Sequence, residues 1–198
     1  TIADAQKATE IRIGDTLYDA QGMSHPGGSI IKFYMGRNDA TEAYDQMHMR
    51  SKKAPKMLKL LPQRPVPDSI KNSAHCKRTK KFTDDFAALV KKLRAEGWYD
   101  ASVSETVVRI TEIFVMHAVG LYLLLATPWL FTALFVLGIA QGRCGWYMHE
   151  GGHFSITTDI KLDHYIQEFF YCLGCGMSAQ WWSIQHNKHH AMPQKLDH

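Results

Sequence analysis

Apolar residues are unevenly spread along this chain: before Thr106 they come in short runs, and beyond it they become nearly continuous. From residue 1 to about 61, short β-like runs (Ile11 to Leu17, Ser29 to Tyr34) mix with a helical one (Asn38 to His48), which predicts a small α+β domain. The next stretch, PQRPVPDSIKNSAHCKRTKK over residues 62–81, is rich in proline and base and poor in apolar residues, and predicts a linker. Phe82, Phe86, Leu89, Val90 and Leu93 then recur at helical spacing opposite Lys91, Lys92 and Arg94. That is an amphipathic helix, suited to a bilayer surface or to packing on its own domain.

Ser102 with Glu105 three residues on has the form of a capping box and predicts a helix start. From Ile113 to Gly142 there are 30 residues without Asp, Glu, Lys or Arg. One straight helix of that length would measure ~45 Å, longer than a hydrocarbon core of about 30 Å. With flanks from Glu105 to Met148 there is room for two helices of about 20 residues, turning at Thr127 and Pro128. Arg109, Glu112 and Arg143 lie near the ends, where they can snorkel. Lys91, Lys92 and Arg94 before the hairpin and Arg143, Lys161 and Lys188 after it put both ends on the cytosolic side. A buried helix pair in a large soluble protein is the competing arrangement.

The formal charge of +4 is modest, but Lys77, Arg78, Lys80, Lys81, Lys91, Lys92 and Arg94 crowd one region. The crowding suits an anionic membrane surface or a solvated helix face, and with only this basic stretch in its favour no nucleic acid is expected as a partner. Cysteines at 76, 144, 172 and 175 form no disulfide framework, which points to a reducing setting. Cys172 and Cys175 make a CxxC in an apolar context without a second pair, so a zinc site is not expected there. Beginning at Thr1 and ending on His198 in mid-motif, the 198 residues read as a piece of a longer protein.

Seven of the eleven histidines lie between residues 149 and 198, five of them in two tight groups, HEGGH at 149–153 and HNKHH at 186–190. On a helix His149 and His153 stand one turn apart on one face, and His186 repeats the geometry with His189 or His190. HEGGH formally matches the zinc-protease pattern with Glu150 as base, yet such a site needs only one more ligand and would leave the second group in surplus. Five or more candidate imidazoles suit iron, whose redox chemistry can use oxygen. His164 reads as a surface or interfacial residue, His198 is left open between ligand and bystander, and His117 reads as a neutral imidazole hydrogen-bonded across the hairpin. Trp181 and Trp182 suit an interfacial aromatic belt or a core.

Near the amino end, His25 precedes Pro26, Gly27 and Gly28, a stiff and then permissive turn that can hold an imidazole toward a flat ligand. With His48 it makes a pair able to ligate haem iron from two faces. LYDAQGMSHPGGSIIKFYMGRNDATEAYDQMHMRS, from Leu17 to Ser51, resembles the haem core of cytochrome b5, with His25 and His48 at its axial positions. A domain of that kind followed by a membrane hairpin and histidine boxes resembles the front-end fatty-acid desaturases. HEGGH is similar to their first box and HNKHH to their second, AMPQKLDH is similar to family sequence, and a third box of QxxHH type is expected beyond His198.

The resemblance implies an α+β cytochrome b5-like domain at 1–61, a linker at 62–81, and the front part of an all-α integral membrane desaturase domain at 82–198. It implies haem b on His25 and His48, and a non-haem di-iron centre using His149, His153, His186, His189 and His190. The implied reaction is O2-dependent insertion of a cis double bond into polyunsaturated fatty acyl chains, on CoA or phospholipid, with delta-6 favoured over delta-5, delta-4 and delta-8. Electrons would pass from a cytochrome b5 reductase through the fused haem. The implied setting is the lipid of the endoplasmic reticulum membrane, with haem domain and boxes facing the cytosol. Long-chain-base desaturation of sphingolipids, acyl hydroxylation and a non-catalytic haem electron carrier are the alternatives.

Overall fold

A computed structural model describes residues 6–36 and 39–192. Two compact units emerge, one built on the chain up to Trp98 together with the segment from Ile184, and one on Tyr99–Ser183.

The first unit opens with β1 (Glu10–Ile13) and β2 (Thr16–Asp19), an antiparallel hairpin that pairs Arg12 with Leu17. The run Ile11–Leu17, expected as one strand, is thus two, because Gly14 at φ 60° allows the chain to reverse. The second expected β-like run is a 3₁₀ helix over Gly28–Phe33: Ile30 and Ile31 are adjacent rather than alternating, and Gly28 at φ 77° starts a turn. Helices α1 (Thr41–Met47) and α2 (Ala54–Leu58) follow, α1 within the expected helical run.

The stretch expected as a linker is folded. β3 (Gln63–Pro65) pairs antiparallel with β2 to complete a three-stranded sheet, and α3 (Asp68–Lys71) packs behind it. Leu17, Val66 and Ile70 form this unit's buried cluster, so two of its three members come from the proline-rich stretch. Arg64 of β3 donates from Nε and Nη2 to the two carboxylate oxygens of Glu10, both at 2.7 Å. Glu10 is buried, and the Arg64 guanidinium holds its carboxyl below the usual carboxylate range. Next comes α4 (Ala74–Ala95), in which Ser73 caps the start by accepting from the Cys76 amide.

The second unit is helical: α5 (Val103–Ala126), α6 (Leu130–Gly152) and α7 (Ile160–Cys175), with α8 (Ala179–Ala191) beginning at its end. Ser102 accepts from the Glu105 amide as the capping pattern predicts, while the Glu105 carboxylate turns to Arg109 at 2.7 Å instead of closing the box. Thr127, Pro128 and Trp129 separate α5 from α6, as expected for the turn.

Among the described residues only α5 is both long and apolar enough to cross a membrane. α6 has 23 residues, but its later half carries Gln141, Arg143 and Glu150, which dilute its hydropathy. The two expected spans therefore differ in kind. α6 packs against both α5 and α7 around a core of Ile113, Cys144, Tyr147, Met148, Phe170 and Tyr171. Two glycines permit the close approach: a Cβ at Gly120 would lie 2.7 Å from the Leu137 side chain, and one at Gly174 would overlap that of Cys144. Cys172 and Cys175 are exposed thiols. His117 donates from Nδ1 at 2.8 Å to the Ile113 carbonyl of its own helix, not across the hairpin as expected, because a helical carbonyl four residues back is in easier reach.

Candidate metal centre

HEGGH ends α6. Its last turn bears His149 and His153, whose ring centroids stand 4.7 Å apart. The two glycines, costly in a helix by about 1 kcal/mol each, are explained by their neighbours. A Cβ on Gly151 would meet the Asp163 carbonyl at 3.0 Å, and one on Gly152 would meet Trp182 at 2.5 Å and the Gln167 amide at 2.8 Å. Side chains there would push α7 and α8 away from the histidines.

After the box the chain reverses through Phe154 at φ 55° and Thr158 at φ 65°, left-handed conformations that non-glycine residues rarely hold. Asp163, fully buried in the first turn of α7, secures this loop by accepting from the amides of Ile156 (3.2 Å) and Thr157 (2.8 Å) and from the Thr157 hydroxyl. One turn on, Gln167 is 1% exposed and donates from Nε2 to the Ser183 hydroxyl at 3.1 Å. Thus α7 presents a buried carboxylate and a buried amide at i and i+4, one bracing the exit of the first box and the other reaching the helix of the second. A polar pair on the face that otherwise carries Phe170, Tyr171 and Gly174 is the sequence signal that could have found them.

Helix α8 carries the second box. Trp182 lies 5.5 Å from the His149 ring, and His186 and His190 follow it at successive intervals of four, on one helical face. Trp182 is therefore a packing residue, whereas Trp181 is 52% exposed. The Nε2 atoms of His186 and His190 are 2.9 Å apart. Two nitrogens each about 2.1 Å from one ion and at right angles to each other would be separated by ~3 Å, so this spacing fits a shared metal.

Among the described residues, His149, His153, His186 and His190 form the group able to hold one ion, with one nitrogen from each within 4.8 Å of the others. His189 is outside it: its ring is 5.9 Å from that of His186 and 5.6 Å from that of His190, and it is exposed. Two histidines of the second box join the pair of the first, one ligand more than the single addition a zinc protease needs. His164 sits at the surface, its Nε2 3.2 Å from Glu168. His198 and the segment from Pro193 lie outside the described residues.

The other pair lies in the α+β unit. His25 and His48 face each other with ring centroids 5.9 Å apart and planes at 87°. A ring centroid lies about 3 Å from an iron bound at Nε2, so an axial pair would stand ~6 Å apart, close to what is seen. The Nδ1 of His48 is 2.9 Å from the Tyr44 carbonyl, which fixes its proton on Nδ1 and leaves Nε2 a free lone pair. In contrast, the Nδ1 of His25 accepts from the Gly27 amide at 3.1 Å, which puts the proton of a neutral ring on Nε2. Burial, and then the neighbouring His48, push the His25 imidazole below its ordinary range and keep it neutral.

Comparison with known proteins finds a family match in the helical part and relatives along nearly the whole chain. Residues 112–198 match the family model described as Fatty acid desaturase. The chain is 47% identical over 191 residues to an acyl-lipid (8-3)-desaturase of Rebecca salina, covering 96% of this chain and 43% of that protein. It is 44% identical over 203 residues to an acyl-lipid (8-3)-desaturase of Thraustochytrium sp, covering 99% and 46%. It is 29% identical over 180 residues to the fatty acid desaturase 2-like protein FADS2B of Mus musculus, covering 85% and 35%. The chain thus spans less than half the length of these curated relatives. No solved structure matches. With both histidine boxes inside the matched region, and with these two acyl-lipid desaturases aligned along almost its whole length, the chain is similar to the fatty acid desaturases.

Proposed function

We propose that this protein is an oxygen-dependent acyl desaturase of the membrane, and that the chain supplies its electron-receiving domain and the first part of its iron site. The observation that carries the reading is the convergence of His149, His153, His186 and His190 at the end of a helical hairpin whose first member is long and apolar enough to cross a bilayer. Removing hydrogen from unactivated methylenes lies beyond acids and bases. Non-haem iron, when bound, supplies the oxygen-activating chemistry. The chain's own task is to hold the four imidazoles at one point, through the glycine contacts of α6 and the buried Asp163 and Gln167 of α7. His189 is held to be a further ligand, for a second iron.

His25 and His48 are proposed to hold haem b, fed by a cytochrome b5 reductase, in a domain whose fusion keeps its effective concentration near the iron high. His48 is already in the tautomer that ligates through Nε2. His25 must release the Gly27 amide and move its proton to Nδ1 before it can do the same. Basic residues on both flanks of the hairpin favour a cytosolic position for both sites in the endoplasmic reticulum membrane.

Similarity to two acyl-lipid (8-3)-desaturases makes an (8-3) specificity on acyl lipid the favoured reading over delta-6. The test is expression of the full-length protein in yeast fed defined polyunsaturated fatty acids, with double-bond positions read by mass spectrometry. A new cis double bond, lost on joint substitution of His186 and His190, is expected. A hydroxylated product, or an unchanged lipid profile with an intact haem band, would overturn the reading in favour of a hydroxylase or an electron carrier.

A further inference from the structure

α4 presents an apolar stripe to its surroundings. Phe82, Phe86 and Leu89, at i, i+4 and i+7, are 77%, 40% and 49% exposed, Phe86 at the edge of a cavity beside Tyr44 and His48, while Val90, at 8%, and Cys76 are turned into the helix's own unit. At 100° per residue the stripe is bordered by Arg78, Lys81 and Lys92, all exposed. Between Ala74 and Ala95 there are seven Lys or Arg against two Asp.

The distance to the next element limits what can cover this face. α4 ends at Ala95 and α5 begins at Val103. Eight residue steps reach at most ~28 Å even when fully extended. The connection carries Trp98, 72% exposed, an aromatic of the kind that settles at headgroup level. A helix tethered so closely to a membrane span, apolar on one stripe and basic beside it, has the composition of an interfacial helix.

We propose that α4 lies along the membrane surface, with Phe82, Phe86 and Leu89 in the boundary between acyl chains and headgroups and its lysines and arginines on anionic lipid. It rests on the reading of α5 as a membrane span. The helix then fixes how far the α+β unit can stand from the bilayer.

The test reconstitutes the full-length protein in vesicles of phosphatidylcholine and phosphatidylserine, with exposed Cys172 and Cys175 and half-buried Cys76 changed to serine and buried Cys144 kept. Nitroxide labels are placed singly through Phe82→Cys, Phe86→Cys, Leu89→Cys, Lys80→Cys and Ala87→Cys, and through Val115→Cys in α5 as reference. For the stripe labels, the ratio of collision with oxygen to collision with a water-soluble nickel chelate is expected to exceed that at Lys80 and Ala87 by about threefold. Joint Lys81→Glu and Lys92→Glu, which leaves the stripe intact, is expected to lower it at Leu89. Water-like ratios at all five α4 sites beside a membrane-like ratio at Val115 would overturn the proposal and leave the span reading intact. Stripe labels shielded from both reagents would also overturn it, showing that protein covers the face. A water-like ratio at Val115 would refute the span itself, and with it the proposal.

Discussion

His25 and His48 are held by short elements, each ring steadied by one bond to backbone within four residues of it. His149 and His153 end a 23-residue helix whose glycines let α7 and α8 press against it, with buried Asp163 and Gln167 bracing the approach. One pair is set by local backbone and the other by tertiary packing. A flat ligand proposed to enter between two rings would tolerate a local adjustment, whereas several imidazoles meeting at a point need distant parts of the chain in register.

The sharpest way to break this comparison is to remove each set. Joint His186→Ala and His190→Ala is expected to weaken cobalt binding by at least ~100-fold, read from the visible absorption of the cobalt-loaded protein, while leaving the haem band intact. Joint His25→Ala and His48→Ala is expected to do the reverse. Loss of both signals in either variant would mean that the pairs are not independent.

Asp163→Ala should cost the helical part about 3 kcal/mol, because the buried Ile156 amide and the half-buried amide and hydroxyl of Thr157 lose their acceptor at once. Thermal unfolding in detergent checks this, and Asp163→Asn, which keeps one acceptor, should recover part of it. Gly152→Ala should cost about 2 kcal/mol by overpacking against Trp182 and should weaken cobalt binding as well. If metal affinity survives the alanine, α8 has more freedom than the packing suggests.

In the α+β unit, Glu10→Gln is expected to cost about 1.5 kcal/mol, a charge-assisted pair reduced to a neutral one. The native pKa of Glu10 is depressed, so its contribution is present above the unfolded carboxylate value and is lost as pH falls through the native one. Urea unfolding between pH 7 and pH 3 should show the wild type losing stability toward acid and the variant losing less. Smallest of all, His164→Ala should fall within about 0.5 kcal/mol of wild type, since its pair with Glu168 is half exposed.

What could be read from the sequence was whatever is encoded locally. The Ser102 cap, the turn at Thr127 and Pro128, and the one-turn spacing of His149 and His153 all depend on residues within four of each other, and all are present in the fold. β3 was missed because its partners are distant: Arg64 meets Glu10 across 54 positions, and no periodicity within a proline-rich stretch announces that. Gly151 and Gly152 read as a cost to the helix until Asp163, Gln167 and Trp182 showed what a side chain would strike. The stripe of α4 was visible, but which of its residues turn inward was not, because Val90 belongs to the same periodic set as Phe86 and Leu89.

The contact of Gly174 with Cys144 has a consequence for how such sequences can change. Because a methyl group at 174 would overlap the Cys144 side chain, neither position can grow alone without parting α6 from α7. Drift at one is permitted only when the other has already become smaller. Across descendants of this chain the two should therefore vary as a linked pair, with glycine passing from one helix to the other while their combined volume stays fixed.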